Sequence, residues 1–157
     1  MIPILVFVVV LVGLLVRYIQ LRVLLSRSES TWMKSREEML DLGQEFGRYA
    51  FSHQGFLPEK LEVITAVLPE NDKGYVYRYV PQLDCDGRLI LVYDVTPRHA
   101  MMAFPKLVYG RHVLFASGKV ELFEEGVVHQ LIVGDNVLRN RLDLPEIPFM
   151  EVWDGGT

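Results

Sequence analysis

The sequence predicts an α+β protein in which an N-terminal membrane helix continues into an amphipathic helix that packs on a small antiparallel sheet. Three observations support this class. The chain begins with the uncharged run MIPILVFVVVLVGLLV. Apolar residues then recur at three- and four-residue spacing, which is typical of an amphipathic helix. From Tyr75 onward, runs rich in β-branched and aromatic residues alternate with turn residues, which is typical of antiparallel strands.

Residues 1–25 are predicted to form a membrane anchor helix. A helix that crosses a hydrocarbon core about 30 Å thick needs roughly 20 apolar residues. The apolar pattern extends past Arg17 to Leu25, and a long arginine side chain can reach the lipid headgroups from there. A cleaved secretory signal is the alternative, but a basic segment before the apolar run and a small-residue cleavage site after it are both missing from the sequence.

Composition and charge limit the classes of partner. The 157-residue chain has a formal net charge of −4, so its surface is not basic and we expect no nucleic-acid partner. The basic residues near the anchor lie on its C-terminal side and, by the positive-inside rule, favour a cytoplasmic domain. They are Arg17, Arg22, Arg27, Lys34 and Arg36. Cys85 is the single cysteine, which excludes an internal disulfide.

Residues 26–55 are predicted to form an amphipathic stalk helix. Its apolar positions are Trp32, Met39, Leu42, Phe46 and Tyr49. The polar stretch 26–31 leaves open whether the helix is interrupted there or continues from the anchor. Gly43 and Gly47 would each cost about 1 kcal/mol relative to alanine in a helix interior, so we expect close packing against a neighbouring element. Gly55 is predicted to end the helix.

Residues 56–141 are predicted to form a small antiparallel-sheet domain of about four strands. A short helix in EKLEVITAV leads into it. The runs YVYRYVPQL and RLILVYDV flank Asp86-Gly87, a pair that predicts a tight hairpin turn with positive φ. The runs RHVLFA and KVELF, joined through Ser117-Gly118, predict a second hairpin.

The connections are less regular in sequence. Residues 96–110 contain two prolines and a glycine, which predicts a loop crossing over the sheet. The apolar pairs at 127–128 and 131–132 fit a short helix that stops at Gly134, and a further strand is the alternative. The tail, residues 142–157, is predicted to be irregular.

Two stretches together carry a resemblance to a known family. The first is LGQEFGRYAFSHQGFLPEKLEVI, and its matching residues are Gly43, Tyr49, Ala50, Gly55, Pro58 and Leu61. The second is RHVLFASGKVELFEEGVVHQLI, and its matching residues are Val113, Leu114, Phe115, Gly118 and Val120. With the N-terminal apolar helix, these stretches resemble type IV pilin-like and type II secretion pseudopilin-like proteins of the Planctomycetes and Verrucomicrobia type.

The resemblance implies a membrane helix, a stalk helix and a sheet packed on that stalk. It also implies a role as a structural subunit. The sequence differs from the family pattern in three respects. Prepilins carry a short basic leader and a glutamate early in the mature helix, whereas the first acidic residue here is Glu29, and Ser117 stands where the family usually has an aspartate.

Motifs that carry chemistry are scarce, and we predict no catalytic, cofactor-binding or metal-binding residues. The four histidines are His53, His99, His112 and His129. Their spacing fits no metal motif, so a metal site would have to be built from distant residues by the fold. Asp84 and Asp86 resemble half of a calcium loop but lack its distal glutamate, which favours a solvated turn.

These observations predict a non-enzymatic, membrane-anchored, pilin-like subunit that acts in assembly or protein–protein interaction in a cell-envelope complex. Its expected partners are the lipid bilayer and other protein subunits. The pilin resemblance places the domain outside the cell, whereas the arginine-rich flank favours the alternative, a cytoplasm-facing tethered binding domain. A third possibility is an enzyme with a site around Arg98, His99 and His112.

Overall fold

The computed structural model describes residues 2–65, 74–83, 85–95, 99–103 and 106–149. It confirms the predicted α+β class: a long apolar N-terminal helix precedes an open antiparallel sheet and a further helix. The elements in chain order are α1 (Ile2–Ser52), α2 (Glu62–Thr65), β1 (Tyr75–Tyr77), β2 (Ile90–Asp94), β3 (His99–Ala103), β4 (Lys106–Phe115), β5 (Val120–Glu124) and α3 (Glu125–Arg141).

Helix α1 is continuous over 51 residues, so the polar stretch 26–31 lies inside one helix that runs from the apolar N-terminal segment into the amphipathic segment. The helix ends close to the predicted glycine. Gln54 and Gly55 have positive φ angles of 57° and 89°, and the N–H of Gly55 donates to the carbonyl oxygen of Ala50 at 2.7 Å. This left-handed termination is the usual role of a glycine at a helix C-terminus.

The sheet has five antiparallel strands in the described part of the chain, where the sequence predicts about four. The prediction of a loop over residues 96–110 was wrong for most of that segment. His99–Ala103 form strand β3, and Lys106 begins the ten-residue strand β4. Because β4 is longer than its neighbours, it pairs with β2 and β3 in succession along one edge and with β5 along the other.

The two predicted hairpins differ in outcome. The β4–β5 hairpin is confirmed, with Gly118 in the turn at a φ of 79°. Strands β1 and β2 pair as predicted, but they are not joined by a tight Asp-Gly turn, and Gly87 has no positive φ. After β1 and Arg78, the chain instead pairs with the segment that follows α1, where the N–H of Leu57 donates to the carbonyl oxygen of Pro81 at 2.9 Å.

The sheet lies between α1 and α3, and each face carries its own apolar cluster because successive strand residues point to opposite faces. Leu114 of β4 packs on the α1 side with Met39, Leu42 and Phe46. The neighbouring Val113 packs on the α3 side with a second cluster. A Cβ on Gly43 would lie 3.2 Å from Leu114, which confirms the predicted close approach there, whereas a Cβ on Gly47 would meet no atom within 4 Å.

Helix α3 extends from Glu125 to Arg141 and passes through Gly134, so it is longer than the predicted short helix and is not a strand. Its buried positions are Val128, Ile132, Asp135 and Arg139, which follow helical spacing. Two of these inward residues are charged. Because Asp135 and Arg139 are charged, the apolar periodicity that predicts the helix ends at Ile132. The tail residues 142–149 have no regular structure, as predicted, and residues 150–157 lie outside the described part.

Candidate functional site

The N-terminal half of α1 is an exposed apolar surface. The large apolar side chains from Val9 to Val16 are between 47% and 65% exposed. Within the described residues, α1 is the one helix long and apolar enough by length and composition to cross a membrane. The other half of the same helix supplies the fully buried side chains of Met39, Leu42 and Phe46. One helix therefore has an exposed apolar half and a half that is buried against the sheet.

The histidines fall into two groups. His53 is exposed and stacks on Tyr49, and His129 is exposed and lies against Phe149. His99 and His112 are buried, at 1% and 0% exposure, and their ring centroids lie 4.6 Å apart. Thirteen positions separate these two in the sequence, and strand pairing brings them together.

Asp94 joins them, and we call Asp94, His99 and His112 the Asp94 cluster. One ligand-type atom from each of the three residues lies within 4.8 Å of those of the other two. Strand β2 pairs with β4 through Tyr93 and Val113, and β3 resumes the pairing at His99. The cluster lies at the point along β4 where its neighbour on this edge changes from β2 to β3. There the Asp94 carboxylate accepts a hydrogen bond from the backbone N–H of His112 at 2.8 Å.

The Asp94 cluster leaves several nitrogens without a hydrogen-bond partner. Oδ2 of Asp94 lies 3.4 Å from Nε2 of His99 and 3.4 Å from Nδ1 of His112. Both distances exceed the usual 2.7–3.2 Å range of an N–H···O hydrogen bond. Both ring nitrogens of His99 and Nε2 of His112 are buried and have no hydrogen-bond partner among the described residues. Such atoms are costly because water is not available to replace the missing partner.

The electrostatics of the Asp94 cluster favour the carboxylate form of Asp94. Burial alone would raise the pKa of Asp94. Interactions with the His112 and His99 side chains, together with the backbone N–H of His112, oppose this effect and hold the pKa of Asp94 below its ordinary value. The cluster thus presents an anionic oxygen beside two imidazole rings.

Helix α1 covers the Asp94 cluster. Ser35 Oγ lies 3.2 Å from Nδ1 of His112, and the ring of Trp32 lies 6.2 Å from the His112 ring between centroids. One turn further along α1, Glu38 accepts a hydrogen bond from the hydroxyl of Tyr75 at 3.0 Å. Burial and the neighbouring Glu38 carboxylate raise the pKa of Tyr75. Ser35 and Glu38 of α1 thus contact polar side chains of the sheet, His112 and Tyr75.

A cavity of about 280 Å³ lies beside this contact, between α1 and the strands β3 and β5. Its lining residues are Leu25, Ser28, Glu29, Trp32, Ala100 and Leu122. The hydroxyl of Ser28 accepts a hydrogen bond from the Ala100 N–H at 2.8 Å and fastens α1 to the edge strand. Ala100, the residue of β3 that follows His99, thus lines the cavity, whereas the residues of the Asp94 cluster do not.

A second buried polar group, the Asp135 network, consists of Arg78, Asp135 and Arg139. Asp135 Oδ2 accepts hydrogen bonds from Nη2 of Arg78 and Nε of Arg139, each at 2.8 Å, and Oδ1 accepts the N–H of Ile90 at 2.8 Å. Burial lowers the pKa of Arg78, and the Asp135 carboxylate opposes that effect. Each member has hydrogen-bond partners, so this network joins α3 to the sheet and offers no free ligand atom.

The remaining residues considered in the sequence lie elsewhere. Arg98 and Asp84 fall outside the described residues. Asp86 pairs with the guanidinium of Arg88 at 2.7 Å, and this pairing occupies a carboxylate that the calcium interpretation requires. The structure thus brings together two of the three residues considered for an enzyme site, His99 and His112, and adds Asp94, which the sequence analysis missed. The sequence did carry a sign that His112 is buried. It lies two residues before Leu114 in the same strand, so the two side chains share the inward face of β4.

In comparisons with known proteins, no family model, no curated protein and no solved structure matches the chain.

Proposed function

We propose that this protein is a non-enzymatic, single-pass, membrane-anchored subunit with pilin-like architecture, which acts in assembly or protein–protein interaction in a cell-envelope complex. The observation that carries the proposal is the division of α1. Its N-terminal half is apolar and exposed, and its C-terminal half forms the core of the sheet domain.

The exposed half of α1 has a strong physical preference for lipid. Burying one large aliphatic side chain contributes about 1.5–3 kcal/mol relative to leaving it in water. The side chains of Val10, Leu11, Leu14 and Leu15 are all more than half exposed. A helix that is apolar on all sides and has no protein neighbour is suited to a bilayer or to packing with other membrane helices.

The domain layout supports the pilin-like part of the proposal. The stalk half of α1 packs along an antiparallel sheet, which is the layout that the family resemblance implies. The opposite face is covered by α3, whose outer side keeps Val127, Val133 and Val137 between 39% and 55% exposed. A cavity of about 380 Å³ lies along this side and includes Gly134 and Leu138 in its lining. This surface is suited to contact another protein subunit.

The second candidate function is a cytoplasm-facing tethered binding domain. Arg17 and Arg22 are exposed on α1 at the domain side of the anchor, and this position favours the cytoplasm by the positive-inside rule. The two candidates share the anchor and differ in the compartment of the domain.

Protease treatment of intact spheroplasts tests the compartment. An epitope fused after Thr157 reports digestion, and a lysed sample is the control. Digestion in intact spheroplasts is expected for the pilin-like subunit. Protection until lysis would overturn the pilin-like proposal and favour the cytoplasmic alternative.

A charge in the anchor tests membrane attachment separately. Leu14→Asp places a carboxylate within the apolar half of α1, at a cost of about 2.5–3.5 kcal/mol near the centre of a membrane helix. We expect the variant to move from the carbonate-resistant membrane fraction toward the soluble fraction, whereas Leu14→Ile should stay in the membrane. A soluble wild-type chain would contradict the anchor.

Cysteine cross-linking tests assembly through α1. In a Cys85→Ser background, Leu14→Cys places a thiol on the exposed apolar half, and Glu121→Cys is the matched control on the sheet domain. Cross-linked species that form through position 14 and not through position 121 are expected for a subunit that packs through its membrane helix. Monomeric Leu14→Cys under oxidising conditions would contradict this packing.

A further inference from the structure

We infer that the Asp94 cluster binds one divalent transition-metal ion of the zinc class, and that this ion fastens the junction of β2, β3 and β4 beneath α1. Two imidazoles and one carboxylate form a ligand set that zinc takes in proteins. The inference stands apart from the proposed function, since neither membrane anchoring nor subunit assembly requires a metal.

The first argument is distance. Zinc binds histidine nitrogen and carboxylate oxygen at about 2.0–2.1 Å, so two ligand atoms at neighbouring corners of a tetrahedron lie about 3.3–3.4 Å apart. Oδ2 of Asp94 lies 3.4 Å from Nε2 of His99 and 3.4 Å from Nδ1 of His112. These separations are long for hydrogen bonds and suit two ligands that share an ion.

The second argument is the set of unpartnered nitrogens. His99 is 1% exposed, and both of its ring nitrogens lack a hydrogen-bond partner in the described structure. A buried histidine of the packed core normally donates one ring N–H to a nearby acceptor. A metal ion bound to Nε2 would give His99 a partner that none of the described protein groups supplies.

The third argument concerns the position of the carboxylate. Asp94 is buried at 4% exposure and accepts the backbone N–H of His112 at 2.8 Å, which orients its oxygens toward the two rings. A ligating carboxylate held by a further hydrogen bond is the usual outer-shell arrangement of a metal site. Each ligand also comes from a different strand, so an ion here would connect three strands.

The surroundings favour a structural role for the ion. Ser35 Oγ lies 3.2 Å from Nδ1 of His112. Either this hydroxyl or a water molecule could take the fourth ligand position. Trp32 covers His112 from α1. Because α1 and the sheet bury the cluster, the ion would be closed off from bulk water, as structural zinc sites are. Its effect would be to hold the stalk half of α1 against the sheet edge.

The test is metal titration of the full chain in detergent, purified without a polyhistidine tag and stripped with a chelator. Co²⁺ is the probe, because its visible absorption reports four-coordinate binding, and Zn²⁺ is the competitor. We expect one Co²⁺ per chain, displacement by one Zn²⁺, and a higher thermal midpoint with Zn²⁺ than with chelator. A wild-type chain that binds neither ion would overturn the inference.

Variants locate the site. Loss of outer-shell partners alone weakens metal sites by about 10–100-fold, so His99→Ala and Asp94→Asn should each weaken Co²⁺ binding by at least about 100-fold. His129→Ala is the matched control, because His129 is exposed on α3, and it should bind Co²⁺ as the wild type does. Unchanged binding by His99→Ala, or loss of binding in His129→Ala, would overturn the inference.

A measurement on the wild type keeps the inference testable where His99→Ala fails to fold. ¹¹³Cd added to the stripped wild-type chain should give one bound resonance with the shift of nitrogen and oxygen ligation. Histidine ring resonances should change for two of the four histidines. A missing bound resonance, or changes at His53 and His129 instead, would overturn the site.

Discussion

Replacing Asp135 by alanine removes the carboxylate that Arg78 and Arg139 both donate to. These three side chains are 1% exposed or less. The same carboxylate also accepts the backbone N–H of Ile90 at 2.8 Å through its second oxygen. Asp135→Ala therefore leaves two guanidinium groups and one backbone amide in the interior without their shared acceptor.

The expected loss of stability follows from these contacts. Removing one partner of a buried ion pair costs about 3–5 kcal/mol, because the remaining charge stays desolvated. An orphaned buried amide costs a further 1–3 kcal/mol, roughly. Since the groups share one site, the terms do not add fully, and we expect a loss of about 4–6 kcal/mol. Asp135→Asn keeps an acceptor for the amide and should lose about 3 kcal/mol.

Urea unfolding of the full chain in detergent measures this loss. The near-ultraviolet circular dichroism of the buried aromatic residues, among them Tyr93, reports the sheet domain. A denaturant slope of about 2 kcal/mol/M places the midpoint of Asp135→Ala roughly 2–3 M below the wild type. Asp143→Asn is the matched control. Asp143 is exposed and has a φ of 55°, which asparagine adopts readily, so we expect a change within about 0.5 kcal/mol.

A loss of less than about 1 kcal/mol in Asp135→Ala, or a loss no larger than that of Asp143→Asn, would contradict this expectation. Either result would mean that the two guanidinium groups reach water or other acceptors, and that the Asp135 network does not hold α3 on the sheet.

Three further outcomes are expected. Gly110→Ala should destabilise the domain by about 1–3 kcal/mol in urea unfolding, because a Cβ there would lie 2.6 Å from a backbone carbonyl oxygen of β5. Arg88→Gln should return the pKa of Asp86 from about 2 toward the ordinary value in a carboxyl NMR titration, since the Arg88 hydrogen bonds lower it. Because the folded pKa is lowered, this pair supports folding at higher pH and loses that support as the pH falls from about 4 to about 2. Ser28→Ala should speed hydrogen exchange of the Ala100 amide and cost about 1 kcal/mol, because that N–H loses its acceptor.

Each of these outcomes has a result that would contradict it. Wild-type stability in Gly110→Ala would mean that β4 and β5 separate freely at that position. An Asp86 pKa that does not change in Arg88→Gln would mean that other groups lower it. Unchanged exchange of the Ala100 amide in Ser28→Ala would mean that the edge strand is protected without α1.

Local signals were enough to predict the long apolar N-terminal helix, its amphipathic continuation and the β4–β5 hairpin. An uncharged apolar run, a three- and four-residue spacing and a Ser-Gly turn between two strand-like runs are all read within a few residues. The same reasoning predicted close packing at Gly43 and Gly47, and the structure shows it at Gly43 only.

Features that depend on pairing between distant residues could not be predicted from local signals. The run that contains His99 became a strand because β4 is long enough to pair with a second neighbour on the same edge. Helix α3 continues past Gly134 because the buried Asp135 and Arg139 beyond it hydrogen-bond with Arg78. Arg78 lies more than fifty positions earlier in the chain. The Asp94 cluster forms where β2 stops and β3 begins, and neither the spacing of its residues nor any local motif encodes that juxtaposition. Local sequence sets the local conformation, whereas strand register and the burial of charge depend on the whole chain.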